Sequence, residues 1–556
     1  MARSAQSRIA RSLLVLLLAV TTASPARAAS PEEIEQKLKA LEEQVGALRQ
    51  QLEETRKAAT AATPAPAPAT ATPPPPASAP ATAASSAAPA PAPGPTAAPP
   101  PVAPVSPVGV TAETLGTLRP SWLSDFKLGG YGSLRFEGSD LPSVGDSFTY
   151  RRFVLTGDAT IADRLRGYFE LELERFTELE LEKKTVSEGG SQGFSSAIEG
   201  SNGSEISLEQ AWVEFIIADW LKFRAGNILV PVGRFNLNHD DNRWDLPRRP
   251  LVDRGVPVLP TTAAWSEVGL GFDGELKTDS LGKFTYEIYV MNGVALDSTV
   301  ETFARGSGEL EAEVEIEPRR GTANLDVKRE KAFAARLGWS PSIGTDFGVS
   351  GYFGRYTPDF LPAENLWSVS ADGKMTFGPF EIEAEYVHTH FGGITRVARG
   401  FAQSVLANEI SSGTEPLEST IDFELAGLAD TKQGYWLDLR YRFFPDFLRN
   451  TFLAWKFANP QFIVTTRWEQ VWLDGLVTQA VFSDGALASL SQESRFVNRL
   501  TLGFAYRPVP LVVFQTAFER TWTNNGKSLA SVTNFIPAGT SENIQNAFLF
   551  GVAFGF

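Results

Sequence analysis

The feature that most constrains this chain is a two-residue alternation of apolar and polar side chains, repeated through segments of about ten residues. Leu128, Gly130, Gly132, Leu134 and Phe136 fall on one side of such a segment, with Tyr131, Ser133, Arg135 and Glu137 on the other. Further along, Leu165, Gly167, Phe169, Leu171 and Leu173 stand opposite Arg166, Tyr168, Glu170, Glu172 and Glu174. A period of two puts each set on one face of a β-strand. Sixteen strands are predicted near 128–137, 148–161, 165–176, 207–217, 221–230, 264–277, 283–293, 331–340, 347–357, 365–377, 379–390, 435–444, 461–473, 495–507, 511–522 and 544–556, with eighteen as the alternative count. A soluble sandwich has the same alternation, so the links decide. Links after even-numbered strands are mostly turn-like, as at Asp163-Arg164, Asp219-Trp220 and Gly378-Pro379, with Asp446 to Pro460 the loosest fit. Links after odd-numbered strands are mostly long, including 181–205, 231–263, 296–330, 392–433, 474–493 and 525–543. That rhythm describes an all-β, antiparallel, up-and-down transmembrane barrel. The last strand supplies an outward stripe of Phe548, Phe550, Val552, Phe554 and Phe556.

The segments before the barrel read differently. Arg3, Arg8 and Arg11 precede the apolar run Leu13 to Val20, and Ala26-Arg27-Ala28 follows, which predicts a signal peptide over residues 1–28. No stretch approaches ~18 uninterrupted apolar residues, so membrane integration falls to the strands. Within residues 29–58, Ile34, Leu38, Leu41, Val45, Leu48 and Leu52 alternate steps of four and three, predicting a self-associating coiled coil of two or three helices. From about Thr60 to Val108 the chain is almost only Ala, Pro, Thr and Ser, and residues 59–119 are assigned to an extended linker with no core to bury. The barrel takes residues 120–556. A formal charge of −15 argues against a nucleic-acid partner, and Cys 0 removes disulfides and thiol chemistry.

The run Phe223-Arg224-Ala225-Gly226-Asn227-Ile228-Leu229-Val230-Pro231-Val232-Gly233-Arg234-Phe235, preceded by Glu209-Gln210-Ala211-Trp212 and followed by a charged loop, resembles the phosphate-selective porins O and P. The resemblance runs loosely from Gly129 to Phe556 and is sharpest at that run. It implies an outer-membrane channel of sixteen strands, a homotrimer, whose third loop folds inward to narrow the pore, and passage of anions such as phosphate. Glu170, Glu172 and Glu174, and again Glu381, Glu383 and Glu385, lie on faces assigned to the lumen; they depart from the family's basic lining and favour cations.

The third long loop carries the candidate constriction, with Arg243, Arg248, Arg249 and Arg254 against Asp240, Asp241, Asp245 and Asp253. Charges fixed beside a narrow aqueous path bias ion passage; the alternative is an external loop held by its own salt bridges. Lys222, Arg224, Arg440 and Arg442, with Arg336, Arg467, Arg499 and Arg507, form a candidate basic strip facing the acidic rows. His388 and His390 share a strand face, but with Phe380, Ile382 and Tyr386, which places them at the outer rim. No catalytic group, metal or cofactor is expected. The expected function is passive diffusion of small hydrophilic solutes or ions through a barrel seated in outer-membrane lipid. The alternative is a structural tether or adhesin whose residues 29–58 contact peptidoglycan.

Overall fold

The structure, a computed structural model, describes residues 125–556 apart from 175–178, 189–190, 201–204, 257, 306–308, 322–328, 360, 412–417, 424–428, 485, 525–526 and 530–540. The predicted signal peptide, coiled coil and linker lie outside the described residues. In chain order the strands begin with β1 (Asp125–Ser139), β2 (Ser147–Ala162), β3 (Leu165–Glu174), β4 (Leu179–Glu188), β5 (Ser191–Gly200), β6 (Glu205–Ala218) and β7 (Leu221–Leu229). Next come β8 (Ser266–Thr278), β9 (Gly282–Met291), β10 (Ala295–Arg305), β11 (Glu309–Arg319), β12 (Ala332–Ser342), β13 (Thr345–Arg355) and β14 (Asn365–Phe377). The series ends with β15 (Phe380–Phe391), β16 (Glu418–Phe423), β17 (Thr431–Phe443), β18 (Gln461–Ser483), β19 (Ala486–Val509), β20 (Val512–Thr523) and β21 (Ile544–Gly555).

Sixteen of these form one antiparallel meander: β1 to β3, β6 to β9, β12 to β15 and β17 to β21. It closes where β1 pairs with β21, from Tyr131 opposite Gly555 to Ser139 opposite Ala547. Closure leaves no wall strand with an unpaired edge, which is the condition for placing a sheet in hydrocarbon. Each predicted strand coincides with one of these sixteen. At the turn end, Gly344 and Gly378 take φ of 81° and 59°, the left-handed region that lets two strands reverse over so few residues.

The alternation sorts the two faces. On β15, Phe380, Ile382 and Tyr386 are exposed outward while Glu381, Glu383 and Glu385 are buried inward. Outward aromatics gather at both rims. At the turn end Tyr441 packs on Phe443 and Phe443 on Phe462, which also meets Phe504 and Tyr506. Trp367 with His388, Tyr435 with Trp472, and Trp468 with Trp522 do so at the loop end. An apolar band between aromatic girdles matches the bilayer's hydrocarbon and its two interfaces.

Several links expected as plain loops carry their own structure. β4 and β5 form a separate hairpin, and β10 and β11 another. β16 lies parallel to β11 and antiparallel to β18. The third loop holds a short helix, α1 (Arg234–Leu237), and a longer one, α2 (Ile394–Ser411), runs between β15 and β16. The expected link 474–493 is instead largely strand, because β18 and β19 stay paired past the wall through register shifts near Leu476 and Gln479.

Candidate functional site

The connection from β7 to β8 turns into the barrel instead of away from it. Gly233 makes the bend with φ of 81°, and a Cβ there would stand 2.5 Å from Glu385 Oε1, so a side chain would collide with the wall. α1 (Arg234–Leu237) follows, then a 3-10 turn at Asp241–Arg243 and a single π-helical turn at Leu251–Gly255. The loop touches inward-facing residues on many strands. Arg234 Nε donates to Glu383 Oε1 at 2.5 Å and also pairs with Asp346; the Phe235 amide donates to Glu385 at 2.9 Å. Further round the wall, the Leu251 amide donates to Glu469 of β18 at 2.7 Å, and Ser133 Oγ of β1 donates to Asp241 at 2.6 Å. The alternative of an external loop is thereby corrected: its partners are lumen-facing groups of β1, β6, β13, β15 and β17 to β20.

Charge pairing explains why the loop stays there. Asp245, buried, meets Arg507 at 2.6 Å, Arg442 at 3.1 Å and Arg440 at 3.6 Å. Burial alone would raise the Asp245 pKa, but the guanidiniums of Arg507, Arg440 and Arg442 more than offset it and hold the carboxyl below its ordinary value. Arg248 reaches Glu519 at 2.8 Å and Glu137 at 3.1 Å. Arg249 donates to the carbonyls of Ala263 (2.8 Å) and His239 (3.2 Å) and stands 3.6 Å from both Asp241 and Asp253. Asp253 Oδ1 in turn accepts from the Ala263 amide at 2.6 Å, closing the loop's base. Asp240 pairs with Arg243 at 2.8 Å; the Arg243 side chain is 57% exposed, the most open charge of the loop's described ion pairs. The Arg254 side chain lies outside the described residues.

The wall charges are interleaved, not opposed. Arg440 on β17 bonds Glu381 at 2.7 Å, Glu383 and its own neighbour Asp438, and Arg442 reaches Glu381 at 3.3 Å. Glu172 and Glu174 share Arg152, at 3.0 and 3.3 Å, and Glu170 accepts from Gln210 at 2.6 Å. Arg224 binds Glu214 at 2.7 Å and donates to the Tyr289 hydroxyl at 3.0 Å, while Lys222 sits half-buried opposite Asp273. The expected basic strip across from acidic rows is therefore corrected to direct pairs between adjacent strands and between wall and loop. Adjacent strands lie about 4.8 Å apart, close enough for an Arg and a Glu on the same face to meet, so pairing wins over separation. The sequence reading missed Arg152, Glu209, Glu469 and Glu519; strand parity points to Arg152, Glu469 and Glu519, whereas at Glu209 it gives opposite answers counted from Leu208 and from Val213.

Above the charged level the loops pack on one another. Val230, Val232, Leu251, Val252, Leu259 and Trp265 of the third loop join Val314 of β11 and Val397, Phe401 and Leu406 of α2 in one buried cluster. Burying a Val or Leu side chain contributes roughly 1.5–3 kcal/mol, so this cluster holds the loops as firmly as the ion pairs do. Toward the turn end a cavity of about 510 Å³ opens, with Tyr131, Tyr168, Asp240, Arg243, Arg442 and Arg507 on its walls.

A closed barrel with an apolar outer band, aromatic rims and a charged interior belongs to the class of transmembrane β-barrels. No known family profile matches the chain. An uncharacterized protein of Aquifex aeolicus (strain VF5) is 24% identical over 223 residues, 40% of this chain and 43% of that protein, so the match spans less than half of the relative's length. Among solved structures, an anion-selective porin from Comamonas acidovorans superposes with a TM-score of 0.43 at 9% identity, covering 78% of this chain and 99% of the porin. Salmonella typhi OmpF in complex with daunomycin gives 0.42 at 11% identity, over 78% and 97%. The channel DcaP of Acinetobacter baumannii gives 0.36 at 9%, over 78% and 97%.

Proposed function

We propose that the protein is an outer-membrane porin: a channel for passive diffusion of small hydrophilic solutes, narrowed by the loop between β7 and β8. The observation that carries this reading is the set of bonds fastening that loop to inward-facing wall residues. A loop anchored at this level sets both the width of the path and the charge beside it. The finer reading is a preference for anions, phosphate among them. It is supported by the turn-side cavity, whose wall presents the guanidiniums of Arg243, Arg442 and Arg507 beside Asp240, since guanidinium groups beside an aqueous path attract anions. The loop residues Asp240, Asp241, Arg243, Asp245, Arg248, Arg249, Asp253 and Arg254 act as the constriction in this proposal, and the paired wall residues hold it in place. Purified, refolded protein in planar bilayers should give discrete conductance steps, with a reversal potential in a salt gradient of the sign for anion preference. Silent bilayers would remove the channel reading; a cation sign would remove only the finer one.

The assembly belongs to the same proposal: a homotrimer of barrels, with residues 29–58 as a periplasmic coiled coil that contacts peptidoglycan. Deleting residues 29–58 is expected to leave a trimer in cross-linking and light scattering, because wall-to-wall contacts between barrels bury far more surface than about three heptads do. Monomers after that deletion would make the helix the main association element.

A further inference from the structure

Where the third loop passes β3 and β6, three ligand-bearing side chains converge. A carboxylate oxygen of Glu170, one of Glu209 and a ring nitrogen of His239 lie within 4.8 Å of one another, all three residues buried. They come from three separate elements of the chain. The inward aim of Glu209 is a built feature. In the β3–β6 ladder Glu170 pairs with Gln210 and Leu171 with Leu208, so Glu209 is the extra residue of a β-bulge. Ile206 and Leu208 face out before the bulge, and Val213 and Phe215 after it; the bulge absorbs the change of phase, so that Glu209 and Gln210 both turn into the barrel beside the loop. Asn227 Nδ2 bonds the carbonyls of Leu208 and Glu209, at 2.8 and 3.1 Å, which holds the bulge in shape.

The imidazole supplies an independent sign that a cation belongs here. His239 Nδ1 lies 2.8 Å from the backbone carbonyl of Asn236. A carbonyl only accepts, so Nδ1 carries the proton. In the neutral ring Nε2 is then a bare lone pair, and it faces Glu209 Oε2 at 3.3 Å and Asp240 Oδ1 at 3.9 Å. Acceptor facing acceptor in a site closed to water is unfavourable unless a proton or a metal ion stands between them. Arg152 does not fill the need, since its bonds go to Glu172 and Glu174.

We propose that Glu170, Glu209 and His239 bind a divalent transition-metal ion, with Zn²⁺ as the fitting probe, and that the ion staples the third loop to the wall. The 3.3 Å separation of Nε2 and Oε2 is the spacing that two bonds of about 2.0–2.1 Å subtend at a tetrahedral centre. An imidazole with two carboxylates selects borderline ions such as Zn²⁺ over Ca²⁺ or Mg²⁺, which take all-oxygen shells. Both ligands are already oriented by their neighbours: Nδ1 donates to the Asn236 carbonyl, and Gln210 Nε2 and the Tyr168 hydroxyl donate to Glu170 at 2.6 and 3.2 Å.

The test is calorimetric titration of the full-length, chelator-treated protein in detergent with Zn²⁺. One ion per chain is expected. His239→Ala and Glu209→Gln should abolish binding, and Gln210→Ala, outside the ligand set, should weaken it about tenfold. The paired variant His388→Ala/His390→Ala should bind as the parent does, because those rings stack on Trp367 at the outer rim. Excess Ca²⁺ should not compete. Should His239→Ala fail to fold, as judged by the heat-dependent gel shift of the barrel, the visible spectrum of bound Co²⁺ in the parent and in Gln210→Ala gives the same reading through its nitrogen–oxygen ligand bands. No uptake by the parent, or uptake that survives His239→Ala, would overturn the proposal and leave His239 and Glu209 as a proton-bridged ion pair.

Discussion

Replacing Asp245 by alanine is expected to release the lumen loop, raise the single-channel conductance severalfold and lower the barrel's resistance to heat. Asp245 is the one carboxylate shared by Arg440, Arg442 and Arg507; removing it leaves three guanidiniums gathered around an empty position. Breaking a buried pair from one side costs on the order of 3–5 kcal/mol, comparable to the packing of one large loop side chain. Asp245→Asn, which keeps the shape, should show most of the same effect. The sign with pH follows from linkage. Because the folded-state pKa of Asp245 is depressed, its contribution is complete above the ordinary aspartate value of 3.8 and is lost as pH falls below that through the folded value. Parent conductance should therefore stay level down to about pH 5 and rise only in stronger acid, whereas the alanine variant should be open throughout. A variant with parental conductance and heat resistance would show that this hub does not hold the loop.

The wall was legible in the sequence because its code is local. β3 and β15 each state their faces within ten or twelve residues, Glu170, Glu172 and Glu174 inward against Phe169 outward, and Glu381, Glu383 and Glu385 inward against Phe380 and Ile382 outward. The loop's partners were not legible, because pairs such as Asp245 with Arg507 or Arg248 with Glu519 are more than 250 residues apart, and alternating charges name no partner. α2 was missed for another reason. Ile394, Val397, Ala398, Phe401, Ala402, Val405 and Leu406 are all buried and fall at helical spacing, a period that a reading built on two-residue alternation does not register. Past Leu473 the register shifts of β18 and β19 break the alternation that would have extended both strands. Glu209 is the clearest loss: the bulge shifts the phase of the strand between Leu208 and Val213, so that Glu209 and Gln210 share the inward face, and nothing in a period-two reading marks where a bulge falls.

Replacing Arg248 and Arg249 together by glutamate should also raise conductance, but it should move selectivity the other way. The parent arginines lie against Glu137, Glu519, Asp241 and Asp253, so glutamates there face four carboxylates. A like-charge contact at 4 Å costs about 4 kcal/mol at an effective dielectric constant near 20, and the loop relieves it by leaving the wall. The local charge also changes from two positive to two negative per chain, which drives the reversal potential in a salt gradient toward cations. Asp245→Ala, by contrast, leaves an excess of guanidinium and should drive it toward anions. Both variants widen the path, so a purely steric loop predicts two shifts of one sign, toward the selectivity of the bare wall. Opposite shifts with conductance raised in both would place these charges beside the permeating ion; shifts of one sign would leave the loop as a spacer and assign selectivity to the strands.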